Sequence, residues 1–349
     1  MDAYPTPPSI PTVTLSAASS LRHLPSRPEL LHLMRGVYYR PTESAEVWRQ
    51  KHEISLARCR GAWETRRSAV ALSHESAALV HGLWVRDAEP DVWTAMPRRS
   101  SPAVIALPPL DFRRGRTPRP AQAGGGSRVV SMRRRRLVIP EESLVVVQGI
   151  VVTDILRTAV DCAFDLPACR SVTIIDSAMR ALVRPDRRDP VGAGRRWAQT
   201  RARFLDAVEA EGPRRGAVRA GAVARIASPF SESPGESVVR WQVDALGLPS
   251  AVLQQRVDLP EHRRSFFLDL AWPDLRVAAE YDGRDKYAAT GTVWEEKVRQ
   301  DLIQGASDWS FSRFTAEHLR DASRLREDVL AMFPAAVVAQ ARRRRGLWD

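Results

Sequence analysis

Two acidic residues stand inside stretches that otherwise read as buried strand. The segments Phe266-Phe267-Leu268-Asp269-Leu270-Ala271-Trp272 and Arg276-Val277-Ala278-Ala279-Glu280-Tyr281-Asp282 are apolar enough to be strands, and Pro273-Asp274 between them predicts a hairpin. Each strand carries a carboxylate, Asp269 or Glu280, among side chains that exclude water. An ionised carboxylate in such surroundings is costly unless a cation or a strong donor shares it. Pairing with Arg264 or Arg276 on an ordinary sheet edge is one way to meet that cost; a shared metal ion is another.

The metal reading has a definite chemistry. Two carboxylates converging across paired strands can hold Mg²⁺, a hard ion that takes oxygen ligands and keeps waters. A lysine nearby would then steady the charge of a phosphoryl group. Of the 53 basic residues only Lys51, Lys286 and Lys297 are lysine, so lysine survives where arginine has taken nearly every generic cationic position. Lys286 and Lys297 follow the second strand closely. Glu295 and Arg299 stand at i,i+4 around Lys297, so a surface ion pair is the plainer account of that run. Upstream, Ser233-Pro234-Gly235-Glu236 opens a helix by the capping-box pattern, with Pro at the first helical position.

A formal charge of +12 and a pI near 10.6 favour a polyanionic partner, because cations laid on phosphates release condensed counterions. A solvated, arginine-rich surface explains the same charge without a partner. DNA is the expected partner, with Arg35, Arg40, Arg133, Arg134, Arg284 and Arg299 as candidate nucleic-acid contacts. Cys59, Cys162 and Cys169 show neither CxxC pairing nor zinc-ligand spacing and read as reduced thiols. The Pro-rich start lacks the basic and apolar regions of a signal peptide, and no apolar run reaches membrane-spanning length. A cytoplasmic protein with no membrane partner is expected; the oligomeric state is left open.

Length and patterning predict several units of mixed α and β structure. Residues 1–20 read as a flexible leader. Residues 21–60 read as a degenerate winged helix: a helix over the apolar run Leu30, Leu31, Leu33 and Met34, a turn at Gly36 and a basic strand to Arg40. An N-terminal arm packed on the next domain is the alternative. Residues 61–183 read as an α+β domain, helical from about Glu46 to Gly82 with Ser73 or Ser76 as cap, then a small sheet of short β-branched runs between Val92 and Val152. The arginines 133–136 fall on its most basic edge. Thr153 is expected to cap a helical region running to about Val183. Residues 184–228 read as a linker containing helix, 229–335 as the last domain, and 336–349 as a frayed basic tail. Ser73, His74 and Asp161 invite a catalytic reading, but adjacent Ser and His side chains point apart on a helix, so a cap and a core histidine fit better. Arg157 and Asp161 suit an i,i+4 ion pair.

The last domain resembles the PD-(D/E)XK nucleases, and within them domains similar to the very short patch repair endonuclease. The elements that carry the resemblance are SPGES (233–237), LDLAWPD (268–274), AEYDGRDKY (279–287), EEKVRQD (295–301) and SDWSFSRFTAEHL (307–319). It implies a restriction-endonuclease-like αβββαβ core over about residues 229–333 and Mg²⁺-dependent hydrolysis of DNA. Asp269 would be the Asp of the motif, Glu280 its following acid and Glu236 the acid of the first helix. The family's lysine falls at position 282, where this chain has Asp. Lys286 or Lys297 could supply that charge, and Asp282, with Gly283 turning the backbone away, or Glu236 could join Asp269 and Glu280 as a further metal ligand. Tyr287 and Trp294 suit base stacking or, more simply, a core. The middle motifs LSHESAALVHGLW (72–84), VTDILRTAVDCA (152–163) and IIDSAMRAL (174–182) are similar to AbiEi-type antitoxins and regulators of type IV toxin-antitoxin systems, which implies a winged helix ahead of them and a cognate toxin as possible partner. An antitoxin or transcriptional regulator whose nuclease fold only grips DNA is the alternative to the enzyme.

Overall fold

The computed structural model describes residues 6–16, 27, 29–65, 68–97, 101–121, 128–259, 264–282 and 309–348, and they form a mixed α and β chain. The chain divides into two compact units, residues 1–162 and 163–349. Among the described residues no helix is long and apolar enough to cross a membrane.

The first unit begins with three short strands, β1 (Thr14–Leu15), β2 (Leu31–Met34) and β3 (Val37–Tyr39), antiparallel in the order β1-β3-β2. The expected helix over the leucine run is therefore a strand. Leu31 and Leu33 are buried while His32 between them is exposed, a two-residue period, and a run this short before the Arg35-Gly36 turn holds too few residues to nucleate a helix. Helix α1 (Val47–Thr65) buries Ile54, Leu56, Ala57, Cys59 and Ala62. The continuous helical stretch expected as far as Gly82 is interrupted by β4 (Ala71–Leu72), and α2 (His74–Val80) starts afresh. Ser73 occupies the N-cap position of α2, yet its hydroxyl makes no cap bond.

The remaining strands of this unit are β5 (Val92–Met96), β6 (Ala103–Ala106), β7 (Leu110–Asp111), β8 (Arg119–Pro120), β9 (Ser131–Arg136), β10 (Leu144–Val147) and β11 (Ile150–Thr153). Five of them join β4 in a mixed sheet in the order β10-β11-β4-β5-β9-β6. Three of the expected β-branched runs become the strands β6, β10 and β11, whereas Val129-Val130 lies just ahead of β9. The arginine run does not lie on an edge: β9 is flanked by β5, to which it is parallel, and by β6, to which it is antiparallel.

Helix α3 (Ile155–Asp165) contains the division between the units. Its cap is Asp154, whose Oδ1 accepts from Arg157 N at 2.7 Å, rather than Thr153, whose hydroxyl bonds Thr158 at 2.7 Å. Pro167 separates it from α4 (Ala168–Val183), so the helical region to Val183 is two helices. The expected linker is also folded, as α5 (Pro190–Ala210) and α6 (Ala217–Ile226), both packed with α4.

Helix α7 (Pro234–Leu246) follows its predicted cap: Ser233 Oγ accepts from Glu236 N at 3.2 Å. Val238, Val239, Val243 and Leu246 form its buried stripe, and Gly247, at φ 79°, ends it. Next comes β12 (Val252–Leu259), a strand the sequence reading does not place, then β13 (Arg264–Trp272), a 3-10 turn at Pro273–Leu275, and β14 (Val277–Asp282). Arg276, expected in the strand, is a left-handed turn residue at φ 52°. The sheet closes with β15 (Ser310–Thr315), in the order β12-β13-β14-β15, where only β14 and β15 are parallel. Leu270, Trp272, Val277, Ala279 and Phe314 form the core with α7 and with α8 (Ala322–Ala331). After α9 (Ala335–Gln340), the expected frayed tail is instead held: Arg344 pairs with the buried Asp244 at 3.0 Å, its N–H bonds Ala245 O, and Leu347 is buried.

Candidate functional site

Strand alternation decides which side chains of the second unit can meet. The hairpin pairs Leu270 with Ala279 and Ala271 with Ala278, and the next residues along are Asp269 on β13 and Glu280 on β14, the latter on the Ala278 face. The parallel ladder pairs Glu280 with Arg313 and Asp282 with Thr315, which adds Asp282 and Arg313 to that face. Asp269 Oδ2 accepts the Tyr281 N–H at 3.2 Å. Glu280 is only 8% exposed. Among the described residues Arg313 faces it, with guanidinium nitrogens 4.0 Å from Glu280 and 3.9 Å from Asp282. Of Arg264 and Arg276, which the plainer expectation named, Arg276 lies over the Trp309 ring instead. Arg313 is the site residue that sequence reasoning missed; its one signal is a charge in the otherwise strand-like segment SFSRFT.

Glu236 reaches the same region from the first turn of α7 and is almost fully buried. Its carboxylate oxygens are taken locally: Oε1 lies 2.8 Å from the Ser233 hydroxyl and Oε2 accepts the Glu232 N–H at 2.7 Å. Burial, and then the negative charge of Asp269, push its carboxyl up to about 8. At neutral pH this side chain therefore keeps its proton. Gly235 lets the helix start so close to the sheet, since a Cβ there would overlap the Tyr281 ring.

The second unit thus places Glu280 and Asp282 on one sheet face, Asp269 on the neighbouring strand and Glu236 near Asp269. Lys286, Lys297, Arg284, Arg299, Tyr287 and Trp294 lie outside the described residues. Among the described residues no group of three or more His, Cys, Asp or Glu side chains is gathered to hold a metal ion. The donors on the sheet face are all carboxylate oxygens, the type Mg²⁺ prefers, and that ion keeps several waters and needs only one or two carboxylates. In donor chemistry the residues fit.

A further group borders the carboxylates. Arg187 donates through Nη2 to Glu232 Oε2 and to Gln254 Oε1, both at 2.7 Å, and its guanidinium lies 4.7 Å from the centroid of Phe267. Behind it a buried ion network ties α4 to α7: Arg240 bonds Asp176 at 2.5 Å and approaches Asp244 at 3.8 Å.

The other candidates lie in the first unit. Arg35 is exposed in the β2–β3 turn, and Arg40 pairs with Glu29 at 3.4 Å. Arg133 pairs with Asp91 at 2.5 Å and lies over Trp93, while Arg134 is half-buried inside the sheet. The Ser73 hydroxyl does meet His74 Nδ1, at 2.9 Å, because His74 adopts φ 49° and leaves the helical geometry that would part them. The pair is fully buried, and His74 stacks on Trp93. Arg157 and Asp161 pair at 2.7 Å, and Lys51 pairs with Glu89 at 3.2 Å.

No family model matches the chain, and no solved structure matches it. Two curated relatives, an uncharacterized protein of Mycobacterium tuberculosis strain H37Rv and one of strain CDC 1551, are each 30% identical over 161 residues, 45% of this chain and 52% of theirs. The chain spans about half the length of the curated relatives it matches.

Proposed function

We infer that this protein binds DNA and that its second unit hydrolyses phosphodiester bonds with Mg²⁺, in a PD-(D/E)XK-like core. The observation that carries this reading is the placement of Glu280 and Asp282 on one face of the β12–β15 sheet, with Asp269 on the neighbouring strand and the buried Glu236 near Asp269. A strand order in which a hairpin is extended by a parallel fourth strand, with α7 against the sheet, agrees with it. Asp269 and Glu280 would hold the ion, with Asp282 as a further oxygen donor. Bound there, Mg²⁺ would acidify an attacking water and polarise the phosphoryl group. Arg313 supplies the fixed positive charge that position 282 lacks and would face the phosphate; Lys286 and Lys297 remain candidates for the same role. Glu236 holds a proton within the site at neutral pH, and ionises more readily when a cation is near.

A second reading, a DNA-binding antitoxin or regulator of AbiEi type with a cognate toxin, is favoured by two features: Asp282 in the lysine position and Arg313 drawn between two carboxylates. Cleavage separates the two. Purified protein with Mg²⁺ should nick supercoiled DNA, and Asp269→Asn or Glu280→Gln should lower the rate at least about a hundredfold while leaving DNA binding in place. Binding without cleavage by the wild type on any DNA substrate would select the regulator.

A further inference from the structure

Gln254 is built unlike its neighbours in β12. It has φ 52°, a left-handed conformation that a strand residue other than glycine adopts at a cost, and the β12–β13 ladder skips the position where it stands opposite Asp269. Its side-chain orientation is settled by chemistry. A guanidinium only donates, so the oxygen of the amide faces Arg187 and the nitrogen faces away. Arg187 in turn bonds Glu232, whose N–H bonds Glu236, so the Gln254 amide is tied to the neighbourhood of Glu236, and its backbone stands next to the Asp269 position. Its Nε2 is buried and has no acceptor among the described residues. A buried amide N–H without an acceptor costs free energy, and strain combined with an unmet donor is the signature of a group held for a ligand.

We propose that Gln254, oriented by Arg187, is a positioning residue that donates a hydrogen bond to a non-bridging phosphate oxygen of DNA beside Asp269. The inference rests on the phosphodiester reading above. Arg187 fixes the amide, and the neutral donor approaches the phosphate next to three carboxylates without adding to the charge the metal must balance.

The test uses the full chain and a fluorescein-labelled DNA with duplex and single-stranded arms, its binding followed by anisotropy in Ca²⁺ and its cleavage in Mg²⁺. Gln254→Leu should weaken binding about tenfold or more. Gln255→Ala, next door, whose Nε2 bonds the Arg256 carbonyl, should stay within about twofold. Because Gln254 is neutral, the salt slope of binding should not change, whereas loss of a phosphate-contacting arginine lowers it. Gln254→Gly relieves the φ strain and should melt no lower than wild type while binding as weakly as Gln254→Leu; a merely structural glutamine would show the reverse. Wild-type affinity in both Gln254 variants, or no DNA binding by the wild type, overturns the inference. Binding losses in a protein that never cleaves would leave Gln254 standing and remove the hydrolase reading instead.

Discussion

At the scale of single residues, the chemistry of this chain is set by carboxylates in places that disfavour charge. Glu236 has its carboxyl raised from an ordinary value of 4.5 to about 8, so the folded state holds a proton that the unfolded chain releases. The native state binds more protons across that interval, so stability falls as pH rises from about 4.5 to about 8. Glu236→Gln should flatten this slope in thermal melts taken across that range; an unchanged slope would mean that another group carries it. His81 works in the opposite direction. It bonds Thr153 O at 2.8 Å, so its Nε2 carries the proton and donates, and burial holds its pKa below the ordinary value. Its contribution is present above about pH 6.5 and lost as pH falls through the lower folded value. Cys59 is buried and its thiol is pushed up to about 12, so iodoacetamide should leave it unmodified in the native protein at neutral pH and label it on denaturation.

At the scale of elements, α7 and the β13–β14 hairpin carry the candidate site, and their stability decides its geometry. Leu270 is fully buried between the flanking carboxylate positions and the α7 core, so Leu270→Ala should cost about 2–5 kcal/mol in denaturant melts, as other leucine truncations do. Ser233 holds the N-cap and also shares its hydroxyl with Glu236. Ser233→Ala should therefore cost about 1 kcal/mol and also change the pH slope assigned to Glu236. A loss of stability with an unaltered slope would show that the hydroxyl caps the helix and does nothing for the carboxyl. β9 makes the contrary point. Its four arginines look like a free cationic edge, yet the strand is interior and Arg133 is already neutralised by Asp91.

At the scale of the whole molecule, the division after Cys162 places α4 to α6 with the carboxylate-bearing sheet. Arg240 of α7 is buried against Asp176 of α4, so a fragment starting near residue 229 loses that ion pair and bares the face of α7 that α4 covers. A fragment spanning 163–349 should give a cooperative melt and one spanning 229–349 should not; equal cooperativity in both would move the boundary back to Pro229. The local features were legible beforehand. The α7 cap, the hairpin around Pro273 and the acidic positions 269 and 280 follow from chemistry within a few residues of each, namely capping, alternation and the cost of a charge in an apolar strand, whereas 236 and 282 enter as site positions through the family resemblance. What only the tertiary structure decided are matters of long-range pairing: a leucine run made a strand by its hairpin partner, a supposed linker made helical by α4, a supposed tail anchored by Asp244, and Arg313 and Arg187 brought to the site from far along the chain. Periodicity describes what a segment can bury, whereas the partner that buries it, and the cation that meets a given carboxylate, depend on the packing of the whole unit.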